Sequence, residues 1–112
     1  MNRAILTMGL NHTTAPIEVR EGVACTRDEL VRKLPQLVSR NSPLTESLIL
    51  STCNRTEVYA VTDDPPRAVE YLRDFFRARQ AFAADADCLY THTHRDAATH
   101  LQTVACGLDS KV

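Results

Sequence analysis

Leu48-Ile49-Leu50-Ser51-Thr52-Cys53-Asn54-Arg55-Thr56-Glu57-Val58-Tyr59-Ala60-Val61 reads as strand, turn, strand. An apolar run leads in, a polar heptapeptide from Ser51 to Glu57 interrupts it, and an alternating run leads out. Period-two alternation marks a half-buried strand. The expected strands are Ser47 to Leu50 and Glu57 to Thr62, delivering one cysteine to an exposed turn. The turn also holds three hydroxyls, an amide, a guanidinium and a carboxylate. Nearby positive charge and hydrogen-bond donors favour the thiolate, which is the nucleophilic form. A cysteine kept for packing more often has apolar neighbours on both sides. On spacing alone, a reactive Cys53 and a small buried residue at a strand end both stand.

Working outward, Ala4 to Leu10 reads as a strand with Leu6, Met8 and Leu10 on one face. Pro16 opens a short helical turn through about Gly22. Thr26-Arg27-Asp28-Glu29 is a capping box, in which hydroxyl and carboxylate each take up a free backbone N–H. The helix behind it stripes Leu30, Val31, Leu34, Leu37 and Val38, with Pro35 as a source of strain and Asn41-Ser42-Pro43 as its end. Asp64-Pro65 starts another helix, which buries Val69, Leu72, Phe75 and Phe76 and leaves Arg73 and Arg77 on a solvated flank. Ala83 to Asp87 is ambiguous. Cys88 to His92 reads as a fourth strand, and Thr93 as the cap of a last helix striped by Ala97, Ala98, Leu101, Val104, Ala105 and Leu108. The order β-α-β-β-α-β-α makes an α+β domain, and its first six elements follow the ferredoxin-like split βαβ order with an additional C-terminal helix.

The chain has 112 residues, enough for one domain with a modest core. A formal net charge of -1 carries no electrostatic footprint for nucleic acid, so any contact with RNA must be local. The apolar N-terminal stretch is too short to span a membrane and lacks a cleavage site, which makes the cytoplasm the expected location. Of the four cysteines, Cys25 and Cys88 read as structural thiols, with no secretory signal to argue for disulfides. His92 and His94 form an H-x-H pair, but a zinc site with Cys88 lacks further ligands at the usual spacings. Gly-x-Gly-x-x-Gly is absent and there are only three glycines, which excludes a nucleotide-binding Rossmann unit from this chain.

Ser51-Thr52-Cys53-Asn54-Arg55-Thr56-Glu57 resembles the active-site motif of the glutamyl-tRNA reductases. Two further segments are similar to the same family. One is Gly9-Leu10-Asn11-His12-Thr13-Thr14-Ala15-Pro16 with Glu18, Arg20 and Glu21; the other is His100-Leu101 followed by Val104-Ala105-Cys106-Gly107-Leu108-Asp109-Ser110. The three lie in the family's order and cover nearly the whole chain. The resemblance implies that Cys53 attacks the ester carbonyl of glutamyl-tRNA and holds the glutamyl group as a thioester. NADPH then reduces the thioester to glutamate-1-semialdehyde, the first step of C5 tetrapyrrole biosynthesis. Arg55 would bind the glutamate side-chain carboxylate, since a planar fork suits bidentate recognition. Thr52, Asn54 and Ser110 would complete the substrate pocket, and His100 would orient or deprotonate as a second catalytic residue. His12 matches a family position as well, and a structural role near the strand end is expected for it. The family also implies a homodimer formed outside this region and a downstream aminomutase as partner.

Read from the residues alone, His100 lies at the edge of the last helix's apolar stripe, which suits either a half-exposed helix histidine or a cleft-lining one. Arg55 two residues from Glu57 is equally an ion pair with it. Family members are several-fold longer, with an NADPH-binding domain and a helical dimerisation domain. Residues 1–112 therefore correspond to a truncated N-terminal catalytic domain, expected not to oxidise NADPH by itself. Cys106 stands where the family commonly has serine. Two other classes remain. One is a ferredoxin-like ligand- or RNA-binding module using Tyr59 and Tyr90 as stacking rings. The other is an unrelated cysteine hydrolase or acyltransferase with a Cys53–His100 dyad.

Overall fold

The computed structural model describes residues 3–79, 88–93, 100–103 and 105. Strand β1 (Ala4–Asn11) is followed by helix α1 (Ile17–Val23), helix α2 (Arg27–Leu37), strands β2 (Leu44–Ser51) and β3 (Arg55–Thr62), helix α3 (Pro65–Arg79) and strand β4 (Tyr90–Thr93). Residues 100–103 and 105 are helical. The strands form one sheet in the order β2-β3-β1-β4, antiparallel at every pairing. Helix and strand are thus mixed as expected, with the turn at Pro16 grown into a full short helix, so that two helices occupy the first crossover.

Strand alternation sorts the sheet into two faces. Leu6, Met8 and Leu10 of β1, Val58 and Ala60 of β3 and Ile49 of β2 point to one side, where they pack with Val19 and Val23 of α1, Leu37 of α2 and Leu72 and Phe76 of α3. The other side carries Thr7 and Gly9, Arg55, Glu57 and Tyr59, Leu48 and Leu50, and Tyr90 and His92. This second face holds the polar residues from which the site is built. Away from them it is partly open, with Ile5 46% and Leu48 51% exposed.

Helices α2 and α3 begin where side-chain capping places them. Thr26 Oγ1 accepts from the Glu29 N–H and Glu29 Oε1 from the Thr26 N–H, completing the capping box. Asp64 Oδ1 accepts from the Arg67 N–H at the head of α3. Two members of the expected α2 stripe do not pack: Val31 is 69% and Val38 38% exposed. The buried line runs through Leu30, Leu34 and Leu37, at spacings of four and three, and the two valines lie beside it. The helix ends at Leu37, two residues past Pro35, rather than at Asn41; at this end the Ser39 N–H turns back to the Gln36 carbonyl and the Ser42 hydroxyl donates to the Leu37 carbonyl. Ala105 is exposed instead of joining a stripe. The expectations for Ala83 to Asp87, His94, Ala97, Ala98, Val104, Cys106, Leu108 and Ser110, and for the helix start after Thr93, lie outside the described residues. Among the described residues, no helix is long and apolar enough to cross a membrane.

Candidate functional site

The cysteine turn is held by its own threonine. The Thr52 N–H donates to the Arg55 carbonyl at 2.7 Å, while Thr52 Oγ1 accepts from the Asn54 N–H at 3.2 Å and the Arg55 N–H at 3.3 Å. A hydroxyl bonded to amides two and three residues on makes a local turn that competes with further ladder pairing, so β2 gives way to β3 across Cys53 and Asn54. Cys53 is exposed and its thiol is free. Two bonds tie this hairpin to the first crossover. Arg20 Nη1 of α1 donates to the Cys53 carbonyl at 3.3 Å, and the Cys25 N–H donates to Ser51 Oγ at 2.9 Å. Cys25 and Cys88 are half-buried free thiols, and burial pushes the Cys25 thiol above its ordinary value.

Arg55, Glu57 and Tyr59 occupy alternate positions of β3, on the face away from the main core. Glu57 is the centre of a polar cluster. Its Oε1 accepts from the Tyr59 hydroxyl at 2.8 Å, and its Oε2 accepts from the Tyr90 hydroxyl. His100 Nε2 lies 2.5 Å from the same Oε2, and Arg55 Nη1 lies 3.6 Å from it. Arg55 and Glu57 are both fully buried, at 0% exposure. The arginine that the resemblance assigns to substrate therefore stands beside Glu57, the ion pair that its spacing also allowed. Burial, followed by the hydrogen bond to Glu57, raises the Tyr90 hydroxyl above the usual tyrosine range, which keeps it a donor. Three rings surround this corner. His92 and His100 lie with centroids 4.5 Å apart and planes at 31°, and Tyr90 meets His100 edge-on at 5.4 Å.

Cys53, Thr52 and Asn54 are brought together at the hairpin tip, and Arg55 begins the strand that leads to Glu57 and His100. Among the described residues, Cys53 and His100 share no hydrogen bond. Ser110 lies outside the described residues. His12 is exposed in the turn after β1, a turn organised by Asn11, whose Oδ1 accepts from the Thr13 N–H at 2.9 Å and the Thr14 N–H at 3.2 Å. Tyr59 is buried and both tyrosine hydroxyls are committed to Glu57, so neither ring is the exposed platform that the RNA-binding alternative requires. No three His, Cys, Asp or Glu side chains among the described residues are grouped to hold a metal ion.

Sequence reasoning missed Glu57 as a hub, Tyr59 and Tyr90 as its donors, and Arg20 as a neighbour of the cysteine. The readable signal was Arg-x-Glu-x-Tyr at period two on a strand, which puts all three side chains on one face. The distant partners at Tyr90 and His100 had no local signal.

A family model described as "Glutamyl-tRNAGlu reductase, N-terminal domain" matches residues 8–112. The glutamyl-tRNA reductase of Ectopseudomonas mendocina is 43% identical over 111 residues, covering 97% of this chain and 25% of the relative. That of Photobacterium profundum is 44% identical over 110 residues, covering 96% and 26%. Among solved structures, glutamyl-tRNA reductase from Methanopyrus kandleri superposes with a TM-score of 0.62 at 29% identity, over 96% of this chain and 23% of that one. The chain spans about a quarter of the length of the curated relatives it matches.

Proposed function

The chain belongs to the glutamyl-tRNA reductase family through its N-terminal domain, and on that premise we propose that it carries out the acyl-transfer step on glutamyl-tRNA. The Cys53 thiolate attacks the carbonyl carbon that esterifies glutamate to the terminal ribose of tRNA. A carbon–sulfur bond forms, the carbon–oxygen ester bond breaks, and the ribose oxygen leaves and takes up a proton. The products are free tRNA and a glutamyl thioester on Cys53. A thiolate suits both halves of this chemistry, because it attacks well and leaves well. The observation that supports the reading most directly is the exposed Cys53 at the tip of a hairpin braced by Thr52 and Arg20.

Arg55 recognises the glutamate side-chain carboxylate, with Thr52, Asn54 and Ser110 supplying hydrogen bonds. That role requires the carboxylate to reach a guanidinium without solvent exposure, beside Glu57. His100 handles the proton. The strand order β2-β3-β1-β4 supports reading the architecture as a ferredoxin-like split βαβ.

Reduction of the thioester by NADPH to glutamate-1-semialdehyde, for tetrapyrrole biosynthesis in the cytoplasm, is the proposed activity of the whole enzyme. The described residues do not fit the cofactor. Their sheet has no parallel pairing, and the turn after β1 is Asn-His-Thr-Thr-Ala-Pro rather than glycine-rich. The chemistry proposed for the described residues ends at the thioester.

The test is a single turnover with radiolabelled glutamyl-tRNA, acid quench and peptide mapping, without NADPH. Label on Cys53 that disappears in Cys53→Ser supports the proposal. Absence of label here, in parallel with a labelled full-length relative, overturns it for this chain.

A further inference from the structure

Glu57 is a carboxylate with no solvent exposure that collects two tyrosine hydroxyls and an imidazole, with a guanidinium nearby. Burying a carboxylate is costly unless its lone pairs are satisfied, and apolar residues of similar volume commonly stabilise as well or better. Packing alone therefore gives little reason for an acid here. The nearest guanidinium nitrogen, at 3.6 Å, is beyond the distance of a charge-assisted hydrogen bond, whereas His100 Nε2 is at 2.5 Å. The carboxylate is thus engaged with the histidine more closely than with the arginine.

We propose that Glu57 is a positioning residue for His100, holding the proton on Nε2 so that Nδ1 is the nitrogen left to accept a proton in the reaction. An ionised carboxylate is acceptor-only, so an imidazole nitrogen facing it in the neutral ring carries the hydrogen, and the other nitrogen is the acceptor. The surroundings hold the ring plane as well as the tautomer. His92 stacks against His100, Tyr90 packs edge-on to it, and the Tyr90 hydroxyl anchors the Glu57 oxygen that faces the histidine. Tyr59 holds the other oxygen, so the carboxylate cannot rotate freely. The assignment rests on the acyl-transfer reading for its catalytic consequence, but the tautomer is a property of the chain itself.

Two measurements test it. In the histidine-labelled chain at a pH where the ring is neutral, nitrogen chemical shifts should show His100 with the hydrogen on Nε2. A hydrogen on Nδ1 overturns the proposal whether or not the chain is acylated. The second measurement is single-turnover acylation of Cys53 by glutamyl-tRNA in Glu57→Gln, His100→Asn and the double variant. Glu57→Gln should lower the rate at saturating substrate by about tenfold, with half-saturation little changed. In the His100→Asn background the same substitution should cost almost nothing further, because the two act as one unit. Additive losses would mean that Glu57 serves only the fold. If Glu57→Gln does not fold, Glu57→Asp replaces it, with the same non-additivity expected. A wild-type chain that is not acylated overturns the acyl-transfer reading, and the nitrogen shifts still decide the tautomer.

Discussion

Gly9 on β1 lies directly opposite Glu57 on β3, and a Cβ at position 9 would stand 2.7 Å from both Glu57 Cγ and the Thr56 carbonyl oxygen. Tyr90 is the next residue in the same cross-strand row, paired with Gly9 from the other side. The missing side chain therefore clears the space that Glu57 occupies and across which Tyr90 reaches its carboxylate. Glycine is required here by close approach rather than by an unusual backbone angle.

Gly9→Ala is expected to destabilise the chain by about 1–3 kcal/mol, the usual cost of forcing atoms into a packed site. Urea denaturation followed by circular dichroism measures it. An unchanged midpoint would show that the strands part without strain.

Arg79 joins three pieces of chain. Its Nε donates to the Val23 carbonyl at 2.9 Å, and its Nη2 to the Ala24 carbonyl at 2.7 Å and to Glu29 Oε2 at 2.9 Å. It thereby caps the end of α1, braces the head of α2 and ties both to α3. Arg79→Met keeps much of the stem but leaves those carbonyls without their donor, for an expected loss of about 2 kcal/mol in the same unfolding experiment. A loss as small as that of Arg77→Met, whose pair with Asp74 is exposed, would refute the bracing role.

Glu29 should make stability pH-dependent. Its hydrogen bond from the Thr26 N–H, then that from Arg79, hold its carboxyl down at about 2, from an ordinary 4.5. A group with a depressed folded value contributes fully above its unfolded value and loses that contribution as pH falls toward the folded one. The wild type should thus exceed Glu29→Gln in thermal midpoint at neutral pH, with the gap closing between about pH 4.5 and 2. A gap that stays constant through this window would exclude the carboxylate as its source.

Thr52→Ala removes the hydroxyl that accepts from two amides of the cysteine turn. The expected result is slower acylation of Cys53 by about fivefold, from a loss near 1 kcal/mol in turn order, with recovery in Thr52→Ser. Equal rates in both variants would remove the turn hydroxyl from the mechanism.

Arg55→Lys keeps a charge but loses the planar fork. The Michaelis constant for glutamyl-tRNA, measured in a full-length enzyme carrying this domain, should rise by about tenfold or more. An unchanged constant would leave Arg55 as a structural residue beside Glu57.

Much of this architecture was legible because its signals are local. Leu6, Met8 and Leu10 alternate, Thr26 and Glu29 cap, and Asp64-Pro65 opens a helix; each depends on residues within one turn or one strand. Cys53 was conspicuous for the same reason, as a thiol set among polar residues between two strands. Glu57 was harder to read, because its role depends on Tyr90 and His100, at separations of 33 and 43 residues. Arg79 was overlooked beside the more obvious Arg73 and Arg77, since which arginine reaches the α1–α2 junction depends on how α3 lies against it. Val31 and Val38 were misplaced because an apolar residue at the margin of a stripe packs only if a neighbour covers it.

The wide separation between Glu57 and His100 also sets an order of assembly during synthesis. A chain emerges from the ribosome N-terminus first. The hairpin bearing Cys53, with Thr52, Arg55 and Tyr59 all in place, can close before Tyr90 or His100 has emerged. During that interval Glu57 has Tyr59 and Arg55 beside it but lacks the partners that later fill its second oxygen. The thiol is thus presented early, and the histidine reaches Glu57 later.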